Sequence, residues 1–472
     1  MPSPFADLFL TADPASAERL RALVGVVVDA LAASLPDRPR SDLTAEALTR
    51  LAATDPGLDE IVAHGVVPSH PMTAAHLHPP ALLAAVAAEV AIAATNQSLD
   101  SHDQAPMATA VEVRLVEWLA TTVGLPAGAT GVLTAGGTAS NLLGLTLARA
   151  AAGHEIDVDV AAGGLPDGAR RWRILASAGA HFSVAQAAAV LGLGHRAVVA
   201  VPTDDRGRMD VKALDAALSR LATSGDQPIA IVGTAGTTDL GAIDPLADLA
   251  DRAEATNAWF HVDAAIGSAL ALSERHRPLL DGIERADSVT ADLHKLWWQP
   301  FAASALLVRD ESAFAAVREE SDYLDRDDDV SAGVVNLVGR SLDTSRRFDA
   351  LKVVTALRHV GRDRMAAMVD HVMDLARAAA DEVDRHADLD LVAPPSTVTC
   401  VFRWRGPDTD AVMTAAARDL FATGRAVVGR TRIDGGVALK LTFVNPVATE
   451  DDARTLVRLV AEACRSGTLD GP

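Results

Sequence analysis

Lys295, in the stretch DSVTADLHKLWWQP, is one of four lysines among 472 residues, the others being Lys212, Lys352 and Lys440. Arginine supplies the rest of the positive charge. An arginine stays protonated in a protein, whereas a lysine can give up its proton and condense with an aldehyde. Leu296, Trp297 and Trp298 follow it, so the amine is expected in a partly desolvated setting and not on an ordinary wet surface. Three further stretches carry residue types with comparable chemical reach. LTAGGTASN, Leu133 to Asn141, runs into the helical pattern LLGLTLARA. Its glycines let the backbone approach an anion, Thr138 and Ser140 offer hydroxyls, and the helix start adds free amides. Taken alone it is equally compatible with a Gly-rich turn and a helix cap, and it has neither the lysine of a Walker loop nor the spacing of a dinucleotide fingerprint. In SAGAHFS, His181 follows an apolar run and a glycine; a lone histidine is more often structural, yet a flat imidazole can stack on a planar ring. In HVDAA, Asp263 ends an apolar run, 32 residues before Lys295 (295 − 263). A carboxylate heading into the interior needs a cationic partner, although a helix cap is the plainer reading.

A phosphate cradle, a flat stacking group, an anion and a nucleophilic amine, taken in chain order, are the parts that pyridoxal 5′-phosphate requires: the anion would face its protonated ring nitrogen and the amine its aldehyde. A nucleotide-binding or structural protein with a Gly-rich loop is the alternative from another class.

These residues need elements to bring them together. Between about Pro79 and Asp343, the short apolar runs GVLT, WRILAS, AVVAVP, IAIVGTA, AWFHVDAA, DSVTAD and ASALLVRD alternate with helical segments. Such alternation predicts an α/β fold with a mostly parallel sheet covered on both faces, and a ligand site beyond the carboxyl ends of its strands. All four stretches fall at such ends. Residues 1–78 read as a helical N-terminal arm, with breaks at Pro36 and Pro39, too poor in apolar residues to fold alone and expected to pack on a partner subunit. Residues 79–343 form the large domain. Residues 344–472 read as a small α/β domain, with long helices, strands at STVTCVFRW and GVALKLTFVNP, and a closing helix from Glu450 to Ser466.

The net charge is −21, with 49% apolar and 22% charged residues. That balance describes a packed, soluble chain and argues against nucleic acid or an anionic membrane as partner. The apolar stretches at Ala22–Leu35 and Ala81–Thr95 are interrupted by Asp29 and Glu89 and are too short to span a bilayer. Cys400 and Cys464 cannot build a disulfide framework, and neither has metal-ligand spacing to a second cysteine or a histidine, so no metal site is expected. No Lys or Arg occurs in the first eighteen residues, which lacks the basic start of a signal peptide and favours the cytoplasm.

With these stretches in hand, the chain resembles the group II pyridoxal-phosphate-dependent amino-acid decarboxylases from about Pro68 to about Pro446. The resemblance is carried by GGTASN, AHFS, GTTDLGAIDPL, HVDAA, DSVTADLHK and RRFDALKVVTALRHVG. It implies a homodimer with the aspartate-aminotransferase type of fold (fold type I), and a cytoplasmic carboxy-lyase that turns an L-amino acid into its amine and CO2. It implies that Lys295 forms the Schiff base with the cofactor, beside His294, that Asp263 pairs with the ring nitrogen and that His181 stacks on the ring. Thr138, Ala139 and Ser140 would hold the phosphate, with Thr237 and Ala265 lining the cofactor. Asp292 stands where some relatives carry an amide that helps hold the phosphate. Tyr323, the only tyrosine, lies 28 residues after Lys295 (323 − 295) in SDYLDRDDDVSAG and matches the family's flexible-loop tyrosine, which protonates Cα after CO2 leaves. GIERADSVTADLHK and RSLDTSRRFDALK look closest to the branch acting on diamino acids such as L-2,4-diaminobutyrate, ornithine and lysine. On the substrate side, His76 and His78 in SHPMTAAHLHPP would border the site, and Asp100 or Asp103 could meet a distal ammonium. An aromatic-amino-acid decarboxylase, or an aminotransferase or oxidase on the same scaffold, remains an alternative, because fold and cofactor do not fix which bond breaks.

Overall fold

The computed structural model describes residues 14–35, 37–40, 43–318 and 334–469. They divide into two compact units. One gathers the described residues up to His76 with Ala378–Val392 and those from Phe402 on; the other holds Leu77–Arg377 and Ala393–Val401. The N-terminal residues therefore group with the C-terminal ones, where the sequence reading drew them as separate segments. The reason is a strand pairing: Thr73 and Ala74 lie parallel to Val427 and Val428.

The second unit is built on a seven-stranded sheet. Across it the strands run Thr130–Thr134, Ser304–Val308, Ser288–Ala291, Trp259–Asp263, Gln227–Thr234, Trp172–Ser177 and Val198–Val201. Only Ser304–Val308 is antiparallel to its neighbours. The seven apolar runs are these seven strands. They read as near-continuous apolar segments because both faces are covered: Ile229, Ala230, Ile231 and Val232 are each 3% exposed or less.

The helix Gly137–His154 lies against this sheet and touches it along two rows. Leu145, Ala148 and Ala152 pack with Ile174, Ile229 and Val184. Leu143 and Leu147 pack with Val132, Leu306 and Phe314. Each buried leucine contributes about 1.5–3 kcal/mol, so the helix start is fixed just past Thr134. Strand ends at Thr134, Ser177, Thr234, Asp263 and Ala291 then deliver five loops to one edge of the sheet.

The first unit has a five-stranded sheet, ordered Thr73–Ala74, Val427–Ile433, Gly436–Thr442, Thr399–Trp404 and Leu389–Ala393, with the chain passing between units inside Thr399–Trp404. The closing helix spans Glu450–Leu469. Among the described residues no helix is long and apolar enough to cross a membrane. Residues 321–333, and with them Tyr323, lie outside the described residues.

Candidate active site

A cavity of about 640 Å³ opens at the carboxyl edge of the large sheet, a volume within the range of small-molecule sites. Lys295 reaches it from the turn after Ser288–Ala291. Lys295 N–H donates to Asp292 O at 3.3 Å and Trp298 N–H to Lys295 O at 3.0 Å. Trp298 has φ of +53°, a conformation a bulky residue adopts only when its surroundings demand it. Here both indoles are 0% exposed, and Trp297 Nε1 donates to Ser268 Oγ at 3.2 Å. The two tryptophans thus anchor the turn that aims the lysine. Lys295 is 20% exposed, with Nζ 2.9 Å from Asp292 Oδ2. Lys352, by contrast, is sealed in ion pairs with Glu89 at 2.8 Å and Asp349 at 2.9 Å, and Lys212 is exposed. Lys295 is the lysine that lines the cavity.

Gly136, Gly137, Thr138 and Ala139 line the cavity at the start of the helix Gly137–His154, where the first-turn amides have no acceptor within the helix. A Cβ on Gly137 would lie 2.9 Å from Asp292 Oδ2, so only glycine lets the helix start pass this close. Asp292 is 3% exposed, and its Oδ1 has no hydrogen-bond partner. Lys295 Nζ is the cation beside this acid.

The Asp263 carboxylate is buried, 6% exposed. Its Oδ2 accepts from Asn141 Nδ2 at 2.8 Å and its Oδ1 from Ala265 N at 3.1 Å. His181 is half-buried, with Nδ1 2.8 Å from Ser183 Oγ. Burial holds its pKa below the usual value against the opposing pull of Asp263, so the ring is neutral at neutral pH. His294, also lowered by burial, accepts at Nδ1 from Ala303 N at 3.2 Å, and its ring lies 4.4 Å from that of Phe301. Ala265 completes the wall. A primary amine, a Gly-lined helix start, a neutral imidazole and a buried carboxylate around one cavity form a donor set that suits pyridoxal phosphate.

Several expected residues stand elsewhere. Ser140 is fully buried, its hydroxyl 2.7 Å from Thr134 Oγ1 and 3.0 Å from Ser304 Oγ, while its N–H donates to Gly136 O; it sits on the inward side of the helix. Thr237 turns its hydroxyl to accept from Ala242 N at 3.0 Å, so Thr234 and Thr238 line the cavity in its place. Asp100 accepts from Ser101 N at 2.9 Å and Asp103 from Ser101 Oγ at 2.5 Å; both serve their own turn, and neither lines the cavity. His78 is exposed and meets Phe301 edge-on at 5.2 Å. His76 is exposed in the other unit. Asn141, Thr238 and Phe301 were not foreseen. For Asn141 a signal exists: it is a polar residue at a helix position four before Leu145, where the pattern calls for an apolar one.

Comparison with known proteins bears on this arrangement. A family model described as the pyridoxal-dependent decarboxylase conserved domain matches residues 43–405. The chain is 45% identical to an L-2,4-diaminobutyrate decarboxylase of Rhizobium meliloti (strain 1021), over 85% of this chain and 79% of that protein. It is 39% identical to an L-2,4-diaminobutyrate decarboxylase of Acinetobacter baumannii, over 84% of this chain and 80% of that one. Among solved structures, the glutamate decarboxylase domain of diaminobutyrate-pyruvate transaminase and L-2,4-diaminobutyrate decarboxylase from Vibrio parahaemolyticus superposes with a TM-score of 0.88 at 34% identity, covering 98% of this chain and 100% of that one.

Proposed function

The chain belongs to the pyridoxal-dependent decarboxylase family, and from that premise we propose that its substrate is an L-2,4-diamino acid, which it converts to the diamine and CO2. It is a fold-type I carboxy-lyase that uses pyridoxal 5′-phosphate. The substrate class rests on the two relatives named for L-2,4-diaminobutyrate. The observation that carries the residue roles is the Lys295 amine standing in the same cavity as the buried Asp263 carboxylate.

When bound, the cofactor supplies an aldehyde that condenses with amines and a ring that takes up the electron pair left as CO2 departs. Lys295 is the residue whose amine would hold it. Asp263 would face the ring nitrogen and favour its protonated form, which makes the ring electron-poor. His181 would face the ring, and Gly137, Thr138 and Ala139 would hold the phosphate through the helix start. Asp292, 2.9 Å from Lys295 Nζ, orients the amine. Tyr323 is the proton donor to Cα. The assembly is a homodimer: the helix Pro14–Ser34 leaves Leu23 and Val26 more than half exposed, with exposed Val27 beside them, an apolar face suited to a second copy. Two buried cysteines outside any disulfide fit a cytoplasmic home.

The test is release of CO2 and amine from a panel of L-amino acids. L-2,4-Diaminobutyrate should give the highest kcat/KM, above ornithine, lysine, glutamate and the aromatic acids. A preference for an aromatic or acidic substrate would sink the diamino-acid reading, and a keto acid formed without CO2 would point to transamination.

A further inference from the structure

Behind Asp263 runs a continuous hydrogen-bond path, and counting donors along it leaves one arrangement. Trp259, His261 and Asp263 alternate along one strand, so all three side chains emerge on the same face. Ser288 and Thr290 sit opposite His261 and Asp263 on the next strand. Trp259 Nε1 can only donate, and it gives its hydrogen to Ser288 Oγ at 2.8 Å. A serine oxygen can accept twice, so the direction is set from the other end: the Asp263 carboxylate takes an Asn141 N–H, which turns Asn141 Oδ1 to His261 Nε2, and the Ser288 hydroxyl, 2.8 Å from His261 Nδ1, donates to that nitrogen. His261 therefore carries its hydrogen on Nε2, which lies 3.0 Å from Asn141 Oδ1; Thr290 Oγ1 donates to the same oxygen at 2.7 Å. With its oxygen filled twice, Asn141 has two N–H bonds to give. They go to Asp263 Oδ2 at 2.8 Å and Ser183 Oγ at 2.9 Å. The Ser183 hydroxyl passes its own hydrogen to His181 Nδ1 at 2.8 Å, which leaves the hydrogen of His181 on Nε2.

His261, Ser288 and Thr290 are 0% exposed and Asn141 is 1%. Burial pushes the His261 pKa down to about 4, in keeping with the neutral ring that this count requires. The helix leaves room for that ring: a Cβ on Gly144 would stand 2.8 Å from His261 Nδ1. A set of buried polar groups that merely satisfied one another could end anywhere. This one ends, through a single amide, on the two residues that meet the cofactor.

We propose that Asn141 is the positioning residue of the site: loaded from behind by His261 and Thr290, its amide holds the Asp263 carboxylate in one orientation toward the cofactor ring nitrogen, and through Ser183 it fixes the tautomer of His181. This rests on Asp263 being the partner of that nitrogen. A hydrogen bond to a charged group is among the stronger ones in a protein, so its loss should weaken cofactor retention by about 10- to 100-fold.

The test uses holoenzyme reconstituted with pyridoxal phosphate labelled with 15N in the ring, read by the nitrogen chemical shift at neutral pH and by cofactor release in dialysis. Wild type should give the protonated shift. Asn141→Leu and His261→Leu should move it toward the unprotonated value and release cofactor more readily, while His261→Gln, which keeps a donor toward Asn141, should stay near wild type. Should Asn141→Leu fail to fold, Asn141→Ser carries the same expectation, since serine cannot reach both Asp263 and Ser183. Folded leucine variants with the wild-type shift and retention would overturn the proposal, and so would a His261→Gln variant as impaired as His261→Leu, because packing alone would then be at work. If Asp263→Asn also leaves the shift unchanged, the proposal falls together with the assignment of Asp263; if Asp263→Asn alone moves it, the proposal falls by itself.

Discussion

Lys295 and Lys352 are both removed from bulk water, yet only one can act as a nucleophile. Lys352 is locked between two carboxylates and 0% exposed, so its ammonium is a structural cation. Lys295 has one acidic neighbour and an open cavity. Lys295→Ala should fold, lose the cofactor's visible band and lose turnover by several orders of magnitude; retained activity in the purified variant would remove Lys295 from the chemistry. Asp263→Asn should still bind cofactor but turn over at least about 100-fold more slowly, because a neutral amide cannot hold the ring nitrogen protonated; kcat measured under saturating cofactor checks this. His261 ties the site to pH. Its folded pKa, about 4, lies below the ordinary value near 6.5. The unfolded chain therefore takes up a proton first as pH falls, and stability is lost between about 6.5 and 4, by roughly 3 kcal/mol at the limit. Denaturant unfolding at pH 7 and pH 4.5 should show a smaller loss in His261→Gln than in wild type. That Lys295, Asp263 and His181 line one cavity was legible in the sequence because their types are out of place at the ends of apolar runs. Ser140 and Thr237 were not, since a hydroxyl goes wherever the nearest acceptor or donor lies, and those neighbours, Ser304 and Ala242, belong to other stretches of chain or to the geometry of a turn.

The helix Gly137–His154 is the element on which most of the site depends. It supplies the cradle at its first turn, Asn141 one turn later and Gly144 against His261. Gly137→Ala separates cradle from fold. Alanine is the better helix former by up to about 1 kcal/mol, which offsets the cost of shifting a buried carboxylate, so the cofactor-free protein should change little in stability. The added Cβ, 2.9 Å from Asp292 Oδ2, should nevertheless push the carboxylate and cut cofactor affinity by about tenfold or more. Thermal melts with and without cofactor read both effects, and unchanged affinity would mean that the cradle lies elsewhere. The strands of the large sheet could be read from the sequence because burial on both faces leaves an unbroken apolar run. Val427–Ile433 could not: Gly429 interrupts it, and Arg430 and Arg432 alternate outward, so it reads as a loop until a partner strand is known.

For the whole molecule, the grouping of the N-terminal residues with the C-terminal ones was beyond local patterns, because it rests on two residues, Thr73 and Ala74, finding Val427 and Val428 from the far end of the chain. Residues 1–78 were read as an arm lacking its own core, and exposed Leu23, Val26 and Val27 on its helix Pro14–Ser34 motivate the dimer. Sedimentation equilibrium should give about 98 kDa, twice 49.0 kDa. Two chains that each carry −21 repel, so added salt should tighten the association. Replacing Leu23 and Val26 by aspartate should shift the protein toward 49.0 kDa; an unshifted dimer would place the interface on another face.

The assignment of Lys295 as the residue that carries the cofactor can be tested by reducing holoenzyme with borohydride, which turns a lysine–aldehyde linkage into a stable amine, followed by digestion and peptide mass analysis. The phosphopyridoxyl group should be found on the peptide containing Lys295, in close to one copy per chain, and be absent from the Lys295→Ala variant. Label on Lys212, Lys352 or Lys440 instead, or no label on a protein that still releases CO2 from its amino acid, would contradict the account.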